Sequence, residues 1–415
     1  MSSEWKAVSL GECVELDTGF AFESSGYTDS AEAVRLLRGD NIGQGQLRWD
    51  GARKWLRQMG DALANFELRE NDLVLAMDRP WIAAGLKFAR VRKGDLPALL
   101  VQRVARLRPK VGVDGDYLHG VVASPDFTEH IQRITTGTAV PHISGKQIKE
   151  FKFKLPDVGT QQALGKLLIS LDDRITLLRE TNTTLEAIAQ ALFKSWFVDF
   201  DPVRAKMEGR VLEGMDKATA ALFPDGFEES ALGLVPRGWR VARLDEFIEL
   251  AYGKALKATD RIAGGVPVYG SGGITGYHNE SLVDGPSVII GRKGTVGSLY
   301  WEDQPFFAID TVFYLKTNAP LTYCFYLLQT LGLAGMNTDA AVPGLNRNNV
   351  YRLLVAYAPS NVLQAFDELV CVIRQRIFRN AQQAQTLATL RDTLLPRLIS
   401  GALRLPEAEA ILDNP

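Results

Sequence analysis

The chain is short of the residues that build covalent or metal frameworks. Its three cysteines, Cys13, Cys324 and Cys371, lie far apart, and its four histidines, His119, His130, His142 and His278, fall in no ligand spacing. No metal site or disulfide framework is therefore expected, and the usage fits a reducing cytoplasm. No apolar run approaches the ~18 residues that a membrane span needs. The opening Met-Ser-Ser-Glu-Trp-Lys carries no basic-then-apolar leader pattern, so a cytoplasmic location is expected. There is also no excess charge of one sign. The formal net charge is -2, which does not advertise a polyanion partner. The distribution is uneven: counted from the sequence, residues 1–155 carry net +2, 156–236 net -5 and 237–357 net +1. DNA binding thus requires the basic residues to gather on one face.

Catalytic signatures are missing as well. A phosphate-cradling G-x-x-x-x-G-K-[ST] loop does not occur, and Gly291, Gly294 and Gly297 have the wrong spacing for a dinucleotide fingerprint. A base methyltransferase needs a cofactor loop and an Asp/Asn-Pro-Pro-aromatic stretch; Asp201-Pro202-Val203 is not one. No nuclease-type carboxylate pair with a lysine stands out at Pro125-Asp126, Pro156-Asp157 or Pro224-Asp225. The histidines read as structural or surface residues. His142, in a polar loop beside Ser144 and Lys146, is the least bland of them.

What is present is a seam. Leu164, Leu168, Leu171, Ile175, Leu178, Asn182, Leu185, Ala189, Leu192 and Trp196 follow alternating steps of four and three, the pattern of a coiled-coil helix. At a constant offset of 202 positions (Leu164 to Phe366) the seam returns as Phe366, Val370, Ile373, Ile377, Asn380, Ala384, Leu387, Arg391, Leu394 and Leu398. Such helices gain little from propensity alone and need partners. If the two pair antiparallel, the register that sets Leu164 against Leu398 also sets Asn182 against Asn380. A buried asparagine lowers stability but can fix register and orientation.

The duplication extends past the helices. Trp5, Leu10, Val14, Leu16 and Gly19 reappear as Trp239, Leu244, Ile248, Leu250 and Gly253, and Ala139-Val140-Pro141-His142-Ile143 as Ala341-Val342-Pro343-Gly344-Leu345. The order is globular unit, long helix, globular unit, long helix. The fold class is α+β: two mixed α/β globular domains separated by two long helices in an antiparallel coiled coil, an internal pseudo-two-fold repeat. Boundaries fall at 1–156, 157–205 (first helix), 206–236 (linker), 237–358, 359–401 (second helix) and 402–415, a tail expected to be poorly ordered. Strands are expected at Leu73 to Ala76, Leu86 to Val91, Leu99 to Leu107, Phe151 to Leu155, Ser287 to Ile290 and Phe306 to Leu315, and helices at Tyr117 to Val122 and Ser124 to Ile134. The glycine-rich loops around 269–277 and 291–298 suit tight turns, and equally a backbone that approaches a polyanion beside Arg292 and Lys293.

Several stretches together resemble the specificity subunit of type I restriction-modification systems. They are the paired Ala-Val-Pro approaches (139–141 and 341–343), Phe193-Lys194-Ser195-Trp196-Phe197-Val198-Asp199-Phe200-Asp201-Pro202-Val203, the linker from Leu222-Phe223-Pro224-Asp225 to Pro236-Arg237-Gly238-Trp239, Arg292-Lys293-Gly294-Thr295-Val296-Gly297-Ser298, and Leu394-Leu395-Pro396-Arg397-Leu398-Ile399-Ser400-Gly401. The first unit departs most, with Asp78-Arg79-Pro80-Trp81-Ile82-Ala83-Ala84-Gly85 in place of the Gly-Thr-Val-Gly loop. The resemblance implies a non-catalytic chain whose two target-recognition domains each read half of a split double-stranded DNA site. It implies two modification subunits that bind S-adenosylmethionine and methylate adenine, and restriction subunits that use ATP and Mg for translocation and cleavage, with no cofactor on this chain. Candidate DNA contacts are Arg38, Asn41, Arg79, Thr136, Thr138, His142 and Lys146 in the first unit, and Ser271, Arg292, Lys293, Thr295, Asn346, Arg347 and Asn348 in the second. Arginine can bridge a guanine edge and asparagine an adenine edge. The competing reading is a coiled-coil adaptor that assembles proteins without touching DNA.

Overall fold

The two seams become helices of 40 residues each, Val158–Phe197 and Ser360–Ile399. The computed structural model describes residues 5–57, 62–82, 85–135, 141–210, 212–337 and 344–413. The chain divides into two compact units, Met1–Leu177 with Gln383–Pro415, and Leu178–Gln382. Each unit therefore takes one half of each long helix.

In the first unit, Leu164 and Leu168 share a core with Leu394, Leu395, Leu398 and Ile399, and with Tyr117, Leu118 and Val121 of the helix Gly115–Ala123. Asp172 Oδ1 accepts from Arg391 Nη1 at 2.6 Å across the pair. In the second unit Ala189, Phe193, Trp196 and Phe197 pack with Phe366 and Val370, and with Tyr323 and Tyr326 of the helix Leu321–Thr330. There Asn182 faces Asn380 while Glu186 faces Arg374. Rising numbers on one helix meet falling numbers on the other, so the pairing is antiparallel. Every seam position except Asn182, Leu185, Leu192, Ile373, Ile377, Leu387 and Arg391 is buried, and those seven are half-buried.

The globular parts repeat their main sheets, the first adding a short pair, Trp81–Ile82 on Gly85–Leu86. The first holds a four-stranded antiparallel sheet in the order Val14–Thr18, Val104–Pro109, Leu73–Ala76, Phe88–Arg90. The second orders Ile248–Tyr252, Val312–Thr317, Ser287–Gly291 and Leu299–Glu302 in the same way. A three-stranded sheet follows in each, Lys54–Trp55, Val34–Leu37, Ala98–Leu100 and Gly273–His278, Val266–Gly270, Phe307–Ala308, with the last pair parallel both times. A two-strand ladder closes each head, Lys6–Ser9 on Lys152–Leu155 and Arg240–Arg243 on Leu354–Tyr357. Strand faces rich in Val, Leu, Ile and Phe bury against the helices, which is why short strands suffice.

Two sequence expectations change here. The runs Leu99 to Leu107 and Phe306 to Leu315 are each two strands in different sheets, broken at Val101–Arg103 and at Ile309–Thr311. The breaks are turns, with Val104 N–H donating to Val101 O and Val312 N–H to Ile309 O; Arg103 takes a left-handed φ of 67° to make the first. The stretch after Gly401, expected to be poorly ordered, forms the helix Leu405–Asp413, because Leu403 and Ala408 bury in the first unit's core.

Candidate nucleic-acid interface

In each head the strand next to the centre of the main sheet ends in a loop that bridges to the residue before a short helix. In the first head Asp78 pairs with His142, Arg79 N–H donates to Pro141 O at 2.7 Å and Ile143 N–H to Met77 O at 2.9 Å. In the second Lys293 pairs with Gly344, and Leu345 N–H donates to Arg292 O at 2.8 Å. The short helices are Gly145–Lys149, capped by Ser144, and Arg347–Tyr351, capped by Asn346. Read from sequence as loops, these segments are first helical turns, because Ser144 with Gln147 forms a capping box in one and the Asn346 side chain caps the other.

The second head gathers its candidates around Tyr252. The guanidinium carbons of Arg292 and Arg347 lie 5.1 and 4.8 Å from its ring centroid. Stacking of this kind holds an arginine fork in place while leaving donors free. Thr295 N–H donates to Ser271 Oγ at 3.3 Å, which joins the loop to the neighbouring hairpin. Gly291 is required by crowding, since a Cβ there would stand 2.1 Å from Thr295 O; Gly297 adopts a φ of +70° against Leu333. Lys293 and Thr295 are exposed. Asn346 Oδ1 accepts from Asn348 N–H at 2.9 Å, which commits that oxygen to the cap.

In the first head Asp78 Oδ1 lies 2.6 Å from His142 Nδ1, and Arg103 stands 3.8 Å from Asp78 Oδ2 and 3.5 Å from the imidazole. Arg79, with a φ of 45°, and Arg103 are both exposed. Arg38 pairs with Asp40 at 3.4 Å. Asn41 is 8% exposed, its Oδ1 accepts from Arg38 N–H and its Nδ2 donates to Arg48 O. Both ends of its amide serve the turn, each through one hydrogen bond. Lys146 is exposed on its short helix, in a shallow basic pocket with Lys149 and Lys152. Thr136 and Thr138, with the Ala-Val-Pro repeats apart from Pro141, lie outside the described residues.

Arg103 was missed by the sequence reading, which placed it inside a continuous strand. The polar pairs Gln102-Arg103 and Asp310-Thr311, at matching places in the two halves, were the available signal. Among the described residues no group of three or more His, Cys, Asp or Glu gathers as a metal site, and no helix is long and apolar enough to cross a membrane.

Two heads of one topology, each with a bridged loop beside a short helix, define a chain built by internal duplication around a helix pair. A family model described as the type I restriction modification DNA specificity domain matches residues 2–187 and 236–341, and the chain belongs to this family. It is similar to the type I restriction enzyme MjaIX specificity subunit of Methanocaldococcus jannaschii, 25% identical over 340 residues that span 75% of this chain and 74% of the relative. The HindI specificity subunit of Haemophilus influenzae is 26% identical over 363 residues, 69% and 77% of the two chains. The crystal structure of a type I system S subunit from M. genitalium shares the fold, with a TM-score of 0.56 at 17% identity, over 96% of this chain and 97% of that one.

Proposed function

We propose that this chain is the DNA-reading subunit of a type I restriction-modification complex. Residues 1–156 and 237–358 act as target-recognition domains, each reading one half of a bipartite site. The helices at 157–205 and 359–401 set the gap between the halves, with 206–236 as linker and 402–415 as tail. Two modification subunits dock on the chain and methylate adenine with S-adenosylmethionine; restriction subunits add translocation and cleavage driven by ATP and Mg. The chain itself supplies recognition and positioning in the cytoplasm, and no bond-making step.

The observation that carries this reading is the repeated strand order with different side chains at matching loop positions, Asp78 and His142 in one head against Lys293 and Gly344 in the other. Duplication within one chain preserves the symmetry of a dimeric reader, yet lets the halves differ, so the site need not be palindromic. Helices of 40 residues extend about 60 Å, at 1.5 Å per residue, a length on the scale of nearly two DNA turns of ~34–36 Å. Mapping methylated adenines in cells that express the chain with its partner subunits tests the reading. A split sequence is expected, and exchanging residues 1–156 for those of a relative should change one half only. DNA association by the assembled complex that is flat across salt concentration would favour an adaptor instead.

A further inference from the structure

Lys87 joins the strands Gly85–Leu86 and Phe88–Arg90, its N–H donating to Pro80 O at 2.7 Å and its carbonyl accepting from Ala76 N–H at 3.0 Å. The residue is 8% exposed; its ammonium keeps contact with solvent but makes no ion pair or hydrogen bond among the described residues. The stem is enclosed while the tip stays wet, since losing all its water would disfavour the charge. Burial does hold this amine below the ordinary lysine range, while Asp40 pulls it up and Arg79 pushes it down. Its charged neighbours are thus residues of the loops that carry Arg38 and Arg79.

The twin head shows that the fold does not need the charge. Three hydrogen bonds align the two heads. Ala76 N–H to Lys87 O corresponds to Gly291 N–H to Ser298 O, Met77 N–H to Arg103 O to Arg292 N–H to Thr311 O, and Ile143 N–H to Met77 O to Leu345 N–H to Arg292 O. Ser298 therefore stands where Lys87 stands. Its hydroxyl is neutral and satisfied, 2.6 Å from Ser271 O and 3.0 Å from Thr295 O. One head closes this point with a hydroxyl; the other leaves a recessed, unpaired ammonium beneath its basic rim.

We propose that Lys87 is a base-reading donor for the first half-site, taking an acceptor on a base edge such as guanine O6 or N7 or thymine O4. This rests on the DNA-reading function above. Exposed Arg79 and Arg103 suit phosphates, which flexible surface cations contact without regard to sequence. A recessed donor behaves differently: a base without an acceptor leaves it buried and unpaired, and the mismatch is penalised.

The test uses the complete complex with wild-type, Lys87→Met and Lys87→Gln chains. Methylation rates are measured on duplexes varied one base pair at a time, beside the melting temperature of each chain. For Lys87→Met, discrimination at one position of the first half-site should fall about ten-fold or more, the second half-site should be read as before, and melting should be unchanged or raised. Lys87→Gln, neutral but still a donor, should change the preferred base at that position. Wild-type ratios at every position, a uniform loss across all sequences, or a lowered melting temperature in both variants would each overturn the assignment. Failure of the wild-type complex to mark any split site would overturn the function itself as well.

Discussion

Asn380 Nδ2 donates to Asn182 Oδ1 at 2.9 Å, and Asn182 Nδ2 in turn donates to the Ile377 carbonyl at 2.9 Å. The two amides close a small network at a seam that is otherwise almost wholly apolar, with Asn380 only 2% exposed. Removing one partner strands the other. Asn380→Leu is expected to lower stability by about 1–3 kcal/mol through the unpaired amide. Asn182→Leu with Asn380→Leu should recover most or all of that loss, since an apolar seam favours stability over unique register. Urea denaturation of the two variants beside the wild type checks both expectations.

Arg374 is expected to resist conservative replacement. Its Nη1 donates to Glu186 Oε2 at 2.9 Å, while its guanidinium carbon lies 4.6 Å from the Trp301 ring and 5.4 Å from that of Phe325. The hydroxyl of Tyr326 donates to the same carboxylate oxygen at 3.2 Å. Lysine keeps the charge but loses the planar stack, so Arg374→Lys should lower stability by about 1–2 kcal/mol. A melt of the variant indistinguishable from wild type would show that the stacking contributes nothing.

His119 sets an acid limit. It is buried in the helix Gly115–Ala123, 3.6 Å from Asp172, and its Nδ1 has no hydrogen-bond partner. Burial lowers its pKa from the ordinary 6.5, against the pull of Asp172 and Asp116 and together with the push of Arg90 and Arg391. Between the lowered folded value and 6.5 the unfolded chain binds the extra proton. Stability from this group is therefore present above about pH 6.5 and lost as pH falls below it. His119→Gln should show a flatter decline of melting temperature from pH 7 to pH 5 than wild type.

The exposed loop of the second head makes separable contacts. Arg292→Ala should weaken discrimination at one position of the second half-site by about 1–3 kcal/mol, if its fork reads a base. Lys293→Ala, at the exposed rim, should weaken binding evenly across sequences and reduce the salt slope by about one. Rate measurements on varied duplexes at two salt concentrations distinguish the two patterns.

The parts legible in the sequence are those with local periodicity. Leu164 to Trp196 declares a helix because its three-and-four spacing is a property of the helix itself, and the facing of Asn182 and Asn380 follows from arithmetic on two such helices. The strand breaks at Val101–Arg103 and Ile309–Thr311 are marked only by the polar pairs Gln102-Arg103 and Asp310-Thr311, and so short an interruption does not say that the chain leaves one sheet for another. Asn41, a base-reader candidate by type, also braces its own turn from both ends of its amide, as asparagine often does, and only the folded loop shows that second task. Arg103 and Lys87 come into play only through pairings with Met77 and Ala76 that lie distant in sequence.

The gap between methylated half-sites measures the central claim most directly. One heptad inserted in the first long helix between Leu177 and Leu178, matched by one in the second between Gln382 and Gln383, keeps each unit's contacts and both seams in phase. Seven residues add about 10 Å of helix, equal to about three base pairs at 3.4 Å each. The account predicts the same two half-site sequences with a gap about three base pairs longer; unaltered half-sites at the original gap would contradict it.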